Sequence, residues 1–307
     1  MNIYDLIIIG GGPAGLTSGI FAGRAKLKTA LFTGTQGGEI SLAIFIDDFP
    51  GFPEGITGPQ LVKLLTQQHN KFGTELITQD VTRVNFSEYP FKIYSAANKE
   101  YLAKAVIISS GATNRWLGLE KEQELLGHGV SSCAVCDGAF FKDKVVAVVG
   151  GGDVAIENAL YLSKYAKKIY LIHWLNEFQA AKILQDEIYH NPKIEIFFNT
   201  EVKKLEGEKM LEGIIIENNK THERKSLEVA GLFVAIGFVP NIKFLGGQLA
   251  VTDEHYLKTT DNVKTSIPGV FAAGDVCDFK YRQAITASGF GAIAALEDIK
   301  WLRENQN

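Results

Sequence analysis

Apolar and polar positions along the chain follow one grammar twice. Residues 4–34, "YDLIIIGGGPAGLTSGIFAGRAKLKTALFTG", run through an apolar stretch of strand length, a glycine turn, an Ala/Gly-rich helical stretch and a second apolar run. That order predicts a strand, a helix and a parallel strand. Residues 144–173, "KVVAVVGGGDVAIENALYLSKYAKKIYLIH", repeat it, with Gly150 standing where Gly10 stood. Each half then closes on a further apolar run that ends in glycine, within "KAVIISSGATNRW" and "AGLFVAIGFVPNI". The segments between them, "TELITQDVTRVN", "FKIYSAAN", "KIEIFFNTEV" and "LEGIIIENN", are rich in β-branched and apolar residues and predict antiparallel strands.

No third unit begins after Asn241. The "GVFAAGDV" strand and the helix of "RQAITASGFGAIAALEDIKWLRE" are instead expected to complete the first sheet. The prediction is an α/β fold of two nucleotide-binding, Rossmann-like three-layer domains, the second inserted in the first. Residues 1–112 plus 243–307 form the discontinuous first domain and 113–242 the insert. The length of 307 residues suits two domains. A formal charge of −4 with no basic stripe argues against nucleic acid as a partner. No apolar run approaches a membrane span, and "MNIYDLIIIGGG" enters a strand without a basic leader, so a cytoplasmic protein with no membrane partner is expected.

The first turn, "GGGPAG", fills the pattern GxGxxG with Gly10, Gly12 and Gly15. The first glycine permits the tight turn, the second lets a pyrophosphate approach the backbone, and the third lets helix and strand pack closely. The helix N-terminus then faces the phosphates with its partial positive charge. The blander reading is a packing turn, but the strand and helix on either side favour a dinucleotide. The second turn, "GGGDVA", carries Gly150, Gly152 and Ala155, a variant of the same fingerprint that speaks only for a pyrophosphate.

Among three cysteines, Cys133 and Cys136 are separated by two residues in "VSSCAVCDGAFF", just before the second turn. Three are too few for a secreted disulfide framework. In a reducing compartment a CxxC is half a metal site or a redox pair. Zinc would need two more ligands at suitable spacing; Cys277 is solitary and the six histidines form no matching pair, so no metal is expected. As a redox pair, Cys133 and Cys136 can close a small, reversible disulfide ring. Asp137 then becomes a candidate acid/base for the proton that accompanies the electrons.

Over essentially its whole length the chain resembles the low-molecular-weight flavin thioredoxin reductases. The resemblance is carried in order by "GGGPAG", "FPGFPEGITGP", "SSGATNRWLGL", "CAVCDGAFF", "GGGDVAIENALYL", "AIGFVPN" and "GVFAAGDVCDFKYRQAITASGFGAIAALE". It implies FAD in the first domain. Gly10, Gly12, Pro13, Ala14 and Gly15 would meet the pyrophosphate, and Gly38, Glu39 and Asp48 would lie in loops around the flavin. Ser110 and Gly111 would stand at the strand end beside it, and Asp275, Arg282, Gln283 and Ala284 would form the far wall. Glu39 and Asp48 depart from the commoner glutamine and asparagine, and ionised carboxylates there would lower the flavin potential. The resemblance further implies a homodimer, and two electrons passing from FAD to the Cys133/Cys136 disulfide, whose dithiol reduces thioredoxin. The insert is expected to swing about hinges near Thr113 to Leu117 and Pro240 to Phe244.

One motif breaks the pattern. Members that use NADPH carry HRRxxxR after the second strand of the insert, its arginines gripping the 2′-phosphate. Here the stretch is "HWLNEFQ": His173 remains, while Trp174, Leu175 and Gln179 fill the arginine positions. A hydrogen bond to a charged group contributes about 1.5 to 3 kcal/mol, so losing two costs roughly 3 to 6 kcal/mol before screening, or about a hundredfold to ten-thousandfold in affinity. NADH would want a carboxylate at that strand end, which Trp174 is not. Some relatives lacking these arginines draw electrons from a ferredoxin, or from a deazaflavin, instead of a nicotinamide. The leading expectation is therefore a thioredoxin-disulfide reductase with a donor other than NADPH, reduced ferredoxin first. Its rivals are an NAD(P)H-dependent thioredoxin reductase and a non-enzymatic flavin redox sensor.

Overall fold

The computed structural model describes residues 3–34, 37–43, 46 and 48–305. In it the first apolar run is β1 (Ile3–Ile9), followed by α1 (Pro13–Arg24), β2 (Thr29–Phe32), α2 (Gly58–Asn70), β3 (Glu75–Ile77), β4 (Val81–Asn85), β5 (Phe91–Ser95) and β6 (Glu100–Ile108). A short crossing strand, β7 (Ala112–Asn114), leads to β8 (Val130–Ser131), the one-turn α3 (Ala134–Asp137), β9 (Val145–Val149), α4 (Asp153–Leu162) and β10 (Lys168–Ile172). Then come α5 (Lys182–Tyr189), β11 (Ile194–Phe197), β12 (Thr200–Glu206), β13 (Gly213–Asn218), β14 (Arg224–Glu228) and β15 (Gly231–Val234). The return crossing is β16 (Phe238–Pro240), which pairs with β7 and precedes β17 (Val270–Ala272) and α6 (Ala284–Glu304).

Contacts divide the chain into two units. One holds the described residues of Met1–Leu42, Ile46–Thr113 and Val239–Asn307, the other those of Ala43–Phe45 and Asn114–Phe238. In the first, the sheet runs β3-β2-β1-β6-β5-β4, and β17 pairs in parallel with the C-terminal end of β6. The returning chain therefore completes the first sheet, as the pattern predicts. In the second, five parallel strands run β11-β10-β9-β15-β8, and β12, β13 and β14 form a separate antiparallel sheet.

Alternation along the strands builds three layers in each unit. On β1, Leu6 and Ile8 join Leu16 of α1 and Ala294 and Ala295 of α6, whereas Ile7 and Ile9 join Phe32, Val84, Phe91 and Ile93 on the other face. On β9, Val146 and Val148 meet Ile156 and Leu162 of α4, while Ala147 and Val149 meet Val202, Ile214 and Leu227 of the antiparallel sheet. A slip of one residue would exchange these faces, so the apolar pattern sets the register. Two of the expected antiparallel segments are corrected: β3 pairs with β2, and β11 with β10, in parallel. Each follows a helix, α2 or α5, and a helical crossover brings the next strand back parallel. Among the described residues no helix is long and apolar enough to cross a membrane.

Candidate functional site

Cys133 and Cys136 are joined as a disulfide, with Cα atoms 5.3 Å apart. The link is made locally: Cys133 caps α3, its Sγ accepting the Cys136 backbone N–H at 3.2 Å. One residue further, Asp137 is buried, and its Oδ2 accepts the Ser131 hydroxyl at 2.6 Å. Ser131 Oγ in turn accepts the Cys133 backbone N–H at 3.0 Å. Asp137 Oδ1 has no hydrogen-bond partner. Burial pushes the Asp137 carboxyl above its ordinary range, and the Ser131 hydrogen bond pulls the other way. A disulfide beside a carboxyl biased toward its protonated form can accept electrons and a proton at one place. Val135 and Phe140, each 45% exposed, present apolar surface next to the pair.

The first glycine turn is a cradle closed on two sides and open on a third. Gly10 has φ +120°, and a Cβ there would run into the Ser109 carbonyl and the Ser110 nitrogen. A Cβ on Gly15 would strike the Gly10 carbonyl oxygen, whereas one on Gly12 would find, among the described residues, nothing nearer than the Gly37 carbonyl oxygen at 4.0 Å. Gly12 caps α1 without a side-chain hydrogen bond, Pro13 opens the helix, and no acid stands in its first turn. A Cβ on Gly274 would lie 3.0 Å from the Ala14 Cβ, which brings the segment after β17 against α1.

Asp275 follows Gly274, and its pKa is pushed up to about 7 by burial first, then by Asp278 and Glu39, with Arg282 opposing. Gly38 and Glu39 open a short 3-10 helix, and burial raises the Glu39 pKa. Burial thereby disfavours the ionised form of Glu39 on which a lowered flavin potential would depend. Arg282 has φ +48°, Gln283 caps α6 in a reciprocal bond with Thr286, and Ala284 is the first residue of that helix. Ser110 and Gly111 follow β6; Ser110 Oγ donates to the Asn241 carbonyl at 2.7 Å, and Asn241 Nδ2 returns a bond to the Ser110 carbonyl at 3.0 Å. Asp48 is exposed and lines a cavity of about 300 Å³ shared with Phe49 to Pro53.

The second turn has the same backbone under different cover. Gly150 has φ +145°, Gly152 has open space around it, and a Cβ on Gly151 would collide with the ring of His173. His173 is buried and stacks on Phe178 with ring centroids 5.9 Å apart. Burial lowers its pKa, offset only in part by the Glu177 backbone. The loop after β10 is fastened to the turn: the Gln179 N–H donates to the Gly151 carbonyl at 2.8 Å, and the Ala181 N–H to Asp153 Oδ1 at 2.7 Å. Trp174 is 57% exposed, and its carbonyl accepts Asn219 Nδ2 at 2.7 Å.

Sequence reasoning missed two residues. Ser131 lies within the quoted "VSSC", where its spacing from Asp137 could have drawn attention. Buried Glu122 gathers the N–H groups of Leu117, Gly118 and Leu119 at 2.8 to 3.3 Å, and no pattern signalled it.

The sequence profile of the family described as "Pyridine nucleotide-disulphide oxidoreductase" matches residues 4–291. The thioredoxin reductase of Rickettsia prowazekii (strain Madrid E) is 44% identical over 304 residues, covering 97% of this chain and 98% of its own. Among solved structures, thioredoxin reductase from Giardia duodenalis superposes with a TM-score of 0.92 at 39% identity, covering 99% of this chain and 100% of that one. Thioredoxin reductase from Streptococcus pyogenes MGAS5005 gives 0.91 at 37% identity, with 98% and 99% coverage.

Proposed function

Because the chain belongs to the thioredoxin reductases of the pyridine nucleotide-disulphide oxidoreductase family, we propose that it reduces thioredoxin through the Cys133/Cys136 pair with a donor other than NADPH. The family's members are FAD flavoproteins. The first glycine turn fits that group: its N-terminal cradle leaves Gly12 open, and a Cβ at Gly10 or Gly15 would fill space that the turn itself needs. Gly10, Gly12, Pro13, Ala14 and Gly15 would hold the pyrophosphate, with Gly38, Glu39, Asp48, Ser110, Gly111, Asp275, Arg282, Gln283 and Ala284 around the rest. Bound FAD supplies the electron pair. Cys133 and Cys136 take part in thiol–disulfide exchange, and Asp137 holds the proton that a departing thiolate needs.

The observation that carries the donor reading is the loop after β10. Trp174, Leu175 and Gln179 stand where arginines would grip a 2′-phosphate, and Gln179 is tied by its backbone to Gly151. Reduced ferredoxin is the proposed donor, in a cytoplasmic homodimer. The second reading, an NAD(P)H-dependent enzyme, is favoured by one observation: the space over Gly152 is open.

The test adds NADPH, NADH and reduced ferredoxin separately, under anaerobic conditions, and follows flavin bleaching with thioredoxin reduction. Turnover with ferredoxin alone supports the proposal, and bleaching by micromolar NADPH or NADH overturns the donor assignment. Absence of thioredoxin turnover with every donor leaves the redox sensor. Sedimentation at twice the chain mass supports the dimer, and a monomer refutes it.

A further inference from the structure

We infer that Ser131 is a positioning residue for the disulfide chemistry: its hydroxyl donates to Asp137 Oδ2 and so reserves Oδ1 as the oxygen that carries and delivers the proton. The inference rests on the reading of Cys133 and Cys136 as the redox pair. Two bonds set the polarity. The Cys133 backbone N–H can only donate, and it donates to Ser131 Oγ at 3.0 Å. The serine then has one hydrogen to place, and Asp137 Oδ2 stands 2.6 Å away. A proton on Oδ2 would turn that bond around and leave the buried Ser131 hydrogen without an acceptor. The carboxyl proton therefore belongs on Oδ1.

Asp137 Oδ1 is itself buried and without a hydrogen-bond partner. Buried polar atoms are nearly always paired, and an exception calls for a reason. A proton that leaves and returns in each cycle is such a reason. Burial keeps the carboxyl protonated more readily than an ordinary aspartate, as a general acid requires. Burial and the Ser131 hydroxyl are what act on the Asp137 carboxyl; a Cβ on the adjoining Gly138 would meet the ring of Tyr161 of α4 at 3.3 Å.

Reduction breaks the S–S bond and takes up two electrons and two protons to give two thiols. The family's flavin activity supplies the electrons, Asp137 Oδ1 gives one proton to the departing thiolate, water gives the other, and water reprotonates Asp137. In the onward exchange the two cysteine thiols lose two protons and re-form the S–S bond while the substrate disulfide breaks; Asp137 Oδ1 gives its proton to the substrate's departing thiolate and regains one from the cysteine thiol. The Cys133 N–H ties the serine to the same turn that holds the disulfide, so acid and sulfur pair stay in register.

The experiment uses the full flavin-loaded protein and its S131A, S131T and D137N variants. It measures the pH profile of exchange from the dithionite-reduced protein to thioredoxin and to 2-hydroxyethyl disulfide, a small alkyl disulfide whose departing thiolate needs a proton, with infrared difference spectra of the carboxyl, D137N assigning the band. S131A should slow exchange about tenfold, move the pH midpoint upward because a bond favouring the carboxylate is lost, and shift the carboxyl band. S131T, which keeps the donor, should restore all three. An S131A protein with the wild-type midpoint and band overturns the inference even if it is slow, since only a structural role remains. So does a wild-type protein whose Asp137 band has lost its proton already in the ordinary aspartate range, about pH 4, independently of any serine variant. A wild-type protein that reduces the small disulfide but not thioredoxin overturns the proposed function instead, and the S131A comparison on the small disulfide still decides the role of the serine.

Discussion

At the first glycine turn Gly12 caps α1 with no acid in the helix's opening turn, whereas at the second Gly152 caps α4, whose first residue is Asp153. The two turns share their backbone logic. In each the middle glycine lies against the residue that follows the second strand, Gly11 against Thr33 and Gly151 against His173. The surroundings differ. Asp153 lends the second helix its own negative charge and holds the Ala181 N–H, while Gln179 closes on Gly151. A carboxylate at a helix N-terminus uses the same positive end that would attract a phosphate. On the proposed reading one fingerprint thus serves as a ligand cradle in the first unit and as a packing turn in the second.

The sharpest way to break this comparison is to plug both turns alike. Gly12 and Gly152 have extended backbones that any residue adopts, and among the described residues no atom beyond the chain neighbours lies closer than 4.0 Å to a Cβ built at either. Gly12→Val should lose FAD affinity by at least about a hundredfold, read by flavin absorbance after gel filtration, because side-chain bulk replaces phosphate contacts. Gly152→Val should leave ferredoxin-supported turnover within about twofold, an expectation the same affinity scale makes strict. Equal losses at both positions would show that the second turn binds a nucleotide.

Next in size is restoring the missing grip. The triple variant W174R/L175R/Q179R should lower the NADPH concentration needed to bleach the flavin by about a hundredfold, the lower end of what two phosphate contacts contribute. No change would mean that the loop, held by Gln179 and Asn219, cannot present arginines to the turn.

A smaller effect separates the third positions. Gly15→Ala drives a Cβ into the Gly10 carbonyl and should cost about 1 to 3 kcal/mol in chemical denaturation. Ala155→Gly, where a Cβ is already accommodated, should cost about 1 kcal/mol through helix propensity.

The smallest effect is on pH. The folded pKa of His173 lies below its ordinary value because burial disfavours the charged ring. Below the unfolded value of 6.5 the unfolded chain binds a proton that the folded one does not, so stability is full above that pH and lost as pH falls. The loss is at most about 1.4 kcal/mol per pH unit per histidine. His69, buried in the first unit with Nε2 2.7 Å from Thr74 Oγ1, is lowered for the same reason and adds the same sign. Melting between pH 7 and pH 5 should therefore fall in the wild type and fall less in H173F.

Much of the architecture was legible because strand alternation and glycine turns are local. The apolar runs before Gly10 and Gly150 both became strands, and "GVFAAGDV" joined the first sheet. The segments around Leu76 and Ile194 were misread as antiparallel because β-branched content marks a strand without saying which way a preceding helix returns it. At the sulfur site the disulfide and Asp137 stood out as a contiguous motif. Ser131 did not, since its hydroxyl matters only once β8 and α3 bring it to the carboxyl.

The sequence by itself determined the family, the repeated glycine turns, the CxxC and the absence of the phosphate-gripping arginines, because each is written in neighbouring residues whose spacing carries the chemistry. Only the tertiary structure decided that Glu39 and Asp275 are pushed toward their neutral forms, that His173 seals Gly151, and that one oxygen of Asp137 is held while the other is left open. Burial and hydrogen-bond partners come from distant segments folded together, and desolvation has no local signature in a string of residues.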